Sequence, residues 1–270
     1  MRGRPLRLSL PRRMVIDMLH FASRVPTVPV QRSMSLAPLV LARNACADRP
    51  SWSAIFTKAY ALTAREFPEL RRAYVKFPWP HLYEYPASVA SIVCQREYRG
   101  EPGLFPLLVK EPAELPLGDL SRLIREAMTA PVDEVKNFRR ALKIGRLPRP
   151  LRRLLWWLAL NLGRQRANRA GTFAVSVYSA LGAESLHPLS LWTALLNYGP
   201  IAADGKVNVR VIYDHRTLDG ATVAKALACL EGKLNVAIVE ELAHMEVRSG
   251  SVAQSAKAAV VTMQMREPQH

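Results

Sequence analysis

The order of apolar and polar positions along the chain predicts alternating helices and strands. Residues 14 to 24 carry a helical pattern, and VPVQRSMSL at 28 to 36 alternates with period two, which puts Val28, Val30, Met34 and Leu36 on one face of a strand with Arg32 among them. SWSAIFTKAYALTAREF sets Trp52, Ile55, Phe56, Ala59, Tyr60 and Thr63 at helical spacing, opens on a capping serine and stops at Phe67 before Pro68. Further strands are expected around Arg72 to Phe77, Ser88 to Gln95 and Phe105 to Lys110, with PWPHLYEYP as a proline-punctuated connection. A helix follows from Asp119 to Thr129. TFAVSVY at 172 to 178 and VNVRVIY at 207 to 213 read as strands, and ATVAKALACLEGKL reads as the helix after the second. Strands separated by helices argue for a layered α/β domain. The pattern weakens after about Leu234, so a C-terminal tail is expected over residues 236–270.

Composition narrows the class. The chain has 270 residues, 49% of them apolar, enough to bury a sizeable core. Cys46, Cys94 and Cys229 are widely separated and form no CxxC pair, which suggests neither a disulfide framework nor a zinc site. No apolar run is long enough to span a bilayer, and prolines and arginines break MRGRPLRLSLPRR before a signal-peptide core can form, so the expected location is cytoplasmic.

Charge adds a second theme. The formal net charge of +16 implies attraction to something anionic: phosphates, acidic lipid headgroups, nucleic acid or an acidic protein. Eleven arginines and lysines, and no acidic residue, lie between Val135 and Gly182. Within this stretch LRRLLWWLALNLGRQR sets Leu151, Leu154, Leu155, Leu158 and Leu162 at helical spacing beside Trp156 and Trp157. Such a segment suits a helix docked on the protein's own body, a peripheral contact with an anionic membrane at the inner face, or, less readily, a nucleic-acid surface.

Candidate chemistry sits where the last strand meets its helix. In VNVRVIY the positions Val207, Val209, Val211 and Tyr213 share one face, and Asp214 to Gly220 form the connection, so His215 lies in a tight loop held by rigid elements. Asp219 is placed to cap the following helix, and Asp214 to pair with Arg216 or Arg210. On residue types alone His215 is either a general base or an ordinary loop histidine.

The string DHRTLDG fits the DHRxxDG signature of dihydrolipoamide acyltransferase catalytic domains, and chloramphenicol acetyltransferases share its HxxxDG core. Upstream, GTFAVSVYSALG is similar to that family's GTFTISNLG segment. SWSAIFTKAYALTAREFPEL resembles its helix ending in a PEL turn, and RRMVIDMLHFASRVPTVPVQ its opening helix and first strand. The likeness covers roughly residues 12 to 235 apart from the basic insertion at about 135–170, and implies a catalytic domain over 1–235.

The resemblance implies an α/β fold, the two-layer chloramphenicol acetyltransferase-like sandwich with a mixed sheet flanked by helices. It further implies direct acyl transfer from a coenzyme A or acyl carrier protein thioester to a thiol, hydroxyl or amine, with no metal and no permanently bound cofactor. His215 would be the base, Ser176 the oxyanion donor, with Ser179 as the fallback, and Asp219 a support for the loop through a buried ionic contact for which Arg32 is a candidate partner. Family members form homotrimers with active sites between subunits. The sequence departs from the pattern at Val177, where the family has asparagine, and contains no Asp-Lys-Ala lipoylation motif, so a stand-alone acyltransferase is expected. Two other readings are a catalytically silent trimeric scaffold and a basic membrane-surface or nucleic-acid-binding protein.

Overall fold

The computed structural model describes residues 3–177 and 181–245. Its centre is a six-stranded mixed sheet in the order β1-β8-β7-β6-β4-β5. The strands are β1 (Thr27–Ser35), β4 (Val89–Tyr98), β5 (Glu101–Lys110), β6 (Phe173–Val175), β7 (Ala194–Tyr198) and β8 (Lys206–Asp214). β6 runs parallel to both β4 and β7; the other neighbours are antiparallel. A separate hairpin pairs β2 (Arg72–Val75) with β3 (His81–Glu84).

Strand alternation sorts side chains onto two apolar layers. Val207, Val209, Val211 and Tyr213 share the larger core with α3 (Trp52–Glu66), α4 (Leu117–Thr129), α5 (Lys136–Gly145) and α8 (Gly220–Asn235). Ala174, Leu195 and Ile212 point the other way, toward α1 (Leu10–Ala22) and α6 (Arg149–Asn161). The sandwich read from the sequence is therefore present. Ser51 caps α3 by accepting from the Ala54 amide at 3.2 Å, and ten of the helix's fifteen residues are buried. β4 and β5 are one hairpin: Arg99 and Gly100 both take positive φ, the backbone of a two-residue turn matched to strand twist.

Two strands escaped the sequence reading for physical reasons. All five residues of β7, ALLNY, are buried, so it shows no alternation. β3 is a four-residue strand inside the proline-rich connection. The predicted strand over 172–178 contracts to three residues, with Tyr178 outside the described residues. The tail also needs correcting. Residues 237–245 form a helix, α9, in which Ile238 and Leu242 are fully buried and Glu241 accepts from Lys58 Nζ and the Leu117 amide, each at 2.7 Å. Residues 246–270 lie outside the described residues.

The basic insertion folds as α5, α6 and α7 (Gly163–Ala170). α6 docks through Arg152, Trp156 and Leu160, one turn apart, not through the leucine stripe; Leu151 and Leu154 are exposed. Asp17, 1% exposed, anchors the helix by accepting from Arg152 Nε at 2.5 Å and Arg153 Nε at 3.2 Å. Trp156 stacks near Phe21 with ring centroids 6.3 Å apart. The insertion's arginines are thus partly structural. After α7, Gly171 turns the chain into β6 with φ +90, where a Cβ would lie 2.9 Å from the Val89 carbonyl oxygen. Only glycine suits that position.

Candidate active site

β8 delivers the chain into a turn that closes on itself. The Asp214 carboxylate is buried and accepts from the Arg216 amide at 3.0 Å, from its Nε at 2.8 Å and from its Nη2 at 2.6 Å. The Asp214 carbonyl accepts from the Thr217 hydroxyl and from the amides of Thr217 and Leu218. Arg216 also lies over the Tyr74 ring, 4.5 Å from its centroid. These contacts hold His215 between fixed neighbours.

The His215 amide donates to the Pro26 carbonyl at 3.0 Å, and its ring stands edge-on to Tyr213. Its Nδ1 lies 3.0 Å from the Leu218 carbonyl oxygen. A carbonyl only accepts, so Nδ1 carries the proton, and in the neutral ring Nε2 holds the basic lone pair. The side chain is half exposed.

Asp219 begins α8 through its backbone carbonyl, which accepts from the Val223 amide at 3.1 Å; its side chain makes no capping bond. That side chain is 84% exposed, with Oδ1 3.7 Å from His215 Nδ1, too long for a hydrogen bond. The expected buried ionic contact is not formed among the described residues. Arg32 is not its partner: the guanidinium pairs at 2.8 Å with Glu231 of α8.

Ser176 follows β6 at the heart of the sheet. Its amide donates to the Leu196 carbonyl at 3.1 Å, and its own carbonyl accepts from Asn197 Nδ2 at 2.7 Å. Asn197 went unnoticed in the sequence, although a lone amide in ALLNY was a signal. It is fully buried, and its Oδ1 has no hydrogen-bond partner among the described residues. Ser179 lies outside the described residues.

Ser176, Val93 and Leu104 line two cavities. One, of about 750 Å³, carries Arg43, Arg49 and Arg125. The other, of about 240 Å³, lies between α1, α6 and the sheet and is walled mostly by apolar side chains. Cys94 lines the larger one, where burial pushes its thiol up to about 11, so it is no thiolate at neutral pH.

His215 lines neither cavity. The sheet register explains why: Ser176 stands level with Asn197, which pairs with Arg210, five residues before His215 and two strands across. At about 3.3 Å per residue and 4.8 Å per strand, the two sites are roughly 15–20 Å apart within one chain.

No family model matches the sequence, and neither does any curated protein sequence. Solved structures do match. A dihydrolipoamide acetyltransferase from Azotobacter vinelandii superposes with a TM-score of 0.65 at 16% identity, over 88% of this chain and 94% of that one. A probable dihydrolipoamide acetyltransferase from Listeria monocytogenes gives 0.61 at 19% identity, over 89% and 95%. A truncated catalytic core of the 2-oxoacid dehydrogenase multienzyme complex from Thermoplasma acidophilum gives 0.61 at 17% identity, over 87% and 99%. The chain therefore has the fold of these acyltransferase catalytic domains.

Proposed function

We propose that the protein is an acyltransferase that works between two copies of the chain, with His215 of one copy as general base and Ser176 of another as oxyanion donor. The observation that carries this reading is the Nδ1 to Leu218 hydrogen bond, which leaves Nε2 of an exposed imidazole free to accept a proton. Nε2 takes the proton from the acceptor's thiol, hydroxyl or amine as that atom attacks the acyl carbon. The Ser176 hydroxyl donates to the carbonyl oxygen while it carries negative charge. The carbon–sulfur bond then breaks, and Nε2 returns the proton to the departing thiolate, so the histidine ends as it began.

The separation of His215 and Ser176 within one chain supports the two-copy arrangement. So does the Thermoplasma neighbour, described as the catalytic core of a multienzyme complex. The Azotobacter structure was determined to study a serine, a histidine and, four positions after the histidine, an asparagine in catalysis. Here Asp219 stands four positions after His215. The arginines of the larger cavity suit the phosphates of a coenzyme A thioester or an acidic carrier protein. The test is a panel of acyl-coenzyme A thioesters offered with thiol, hydroxyl and amine acceptors, with released coenzyme A resolved by chromatography. Release that depends on an acceptor and on His215 supports the reading; no release with any pair opposes it.

A further inference from the structure

We infer that the 240 Å³ cavity is an acyl-chain site, and that the preferred substrate is a thioester of a hydrophobic acyl group of roughly eight to ten carbons rather than acetyl. The inference rests on the acyl-transfer reading and adds the substrate class. Met14, Met18 and Leu19 of α1, Trp156 of α6, and Trp192 and Leu195 from the sheet region wall the cavity. Among the described residues no charged side chain lines it, and Ser176 carries its only hydroxyl. The Trp192 indole N–H is already committed to the Ala170 carbonyl at 2.6 Å, so that ring offers the cavity an apolar surface.

Three features point to an acyl tail as the occupant. The cavity shares Ser176, Val93 and Leu104 with the arginine-bearing one, so a thioester carbonyl at the serine would have its alkyl group on one side and its phosphate-bearing carrier on the other. Its size fits: a cavity of about 150 Å³ admits the six carbons of benzene, and by proportion 240 Å³ holds about ten. Trp156 closes one wall, which gives the basic insertion a role in selecting chain length. The flexible methionines Met14 and Met18 in its lining suit a substrate of variable shape.

The test combines binding with turnover. A terminally brominated decanoate should quench tryptophan fluorescence saturably, because Trp156 and Trp192 border the cavity. Turnover efficiency with saturated acyl-coenzyme A thioesters should rise from acetyl by up to about fourfold per added methylene and peak at eight to ten carbons. Filling the cavity with Val15→Phe and Met18→Phe, both in its α1 lining, should move the peak to shorter chains, and Trp156→Ala should move it to longer ones, opposite shifts that misfolding would not produce. A profile best with acetyl, with no saturable quenching, overturns the acyl-chain site and leaves acyl transfer standing. Saturable quenching without turnover of any thioester supports the apolar site and sinks acyl transfer instead.

Discussion

His215 and Leu218 are joined by a hydrogen bond of 3.0 Å from imidazole Nδ1 to a backbone carbonyl, inside a turn that Asp214 and Arg216 brace. This backbone acceptor sets the tautomer and leaves Nε2 as the basic nitrogen of the neutral ring, with the Asp219 carboxylate 3.7 Å from Nδ1. His215→Ala should therefore reduce thioester turnover by about 100-fold to 10,000-fold. The far-ultraviolet circular dichroism and melting temperature should hardly change, since the side chain is half exposed. Turnover at the wild-type rate would remove His215 from the chemistry.

Ser176→Ala should lower kcat by about 100-fold to 1,000-fold with little effect on KM, the pattern of a contact made mainly in the transition state. Steady-state kinetics on one thioester decides it. A rise in KM with kcat intact would make Ser176 a binding residue.

Much of this was legible in the sequence, and what was not has identifiable causes. The DHRTLDG turn, the strand before it and the helix after it follow from period-two alternation meeting a helical pattern, and the structure places them there. β7 stayed hidden because both its faces are buried. Asn197 was missed with it, though it holds the Ser176 carbonyl. The packed side of α6 was misjudged because a helix buries what meets a partner: Asp17, 135 residues away in sequence, draws Arg152 inward and leaves Leu154 outside. The buried Asp219 contact expected from the resemblance is absent among the described residues, where that carboxylate faces solvent.

The Asp17 pair gives a stability prediction. Removing the carboxylate with Asp17→Ala strands the Arg152 guanidinium, whose side chain is 9% exposed, and should cost about 3 to 5 kcal/mol in chemical denaturation. Arg153→Ala, at the more exposed and longer contact, should cost about 1 kcal/mol or less. Equal losses would show that the two arginines share the anchoring.

Cys94 borders the larger cavity and could be mistaken for a nucleophile. Burial holds its thiol up to about 11, so it is protonated at neutral pH and gains thiolate character only as pH approaches that value. No acyl-enzyme should accumulate on Cys94 after incubation with an acyl-coenzyme A at pH 7.5, a condition of about half a unit above neutrality chosen well below that range. Peptide mapping by mass spectrometry checks this, and an acyl adduct on Cys94 would replace direct transfer with a two-step route.

The most direct test of a site shared between copies is complementation. His215→Ala and Ser176→Ala proteins, each nearly inactive alone, are mixed under conditions that exchange subunits, and coenzyme A release is measured. If His215 of one copy meets Ser176 of another, random mixing restores an intact pair at about one interface in four, and turnover should climb toward roughly a quarter of the wild-type rate. A mixture no more active than the sum of its two parts, despite demonstrated exchange, would contradict the shared site.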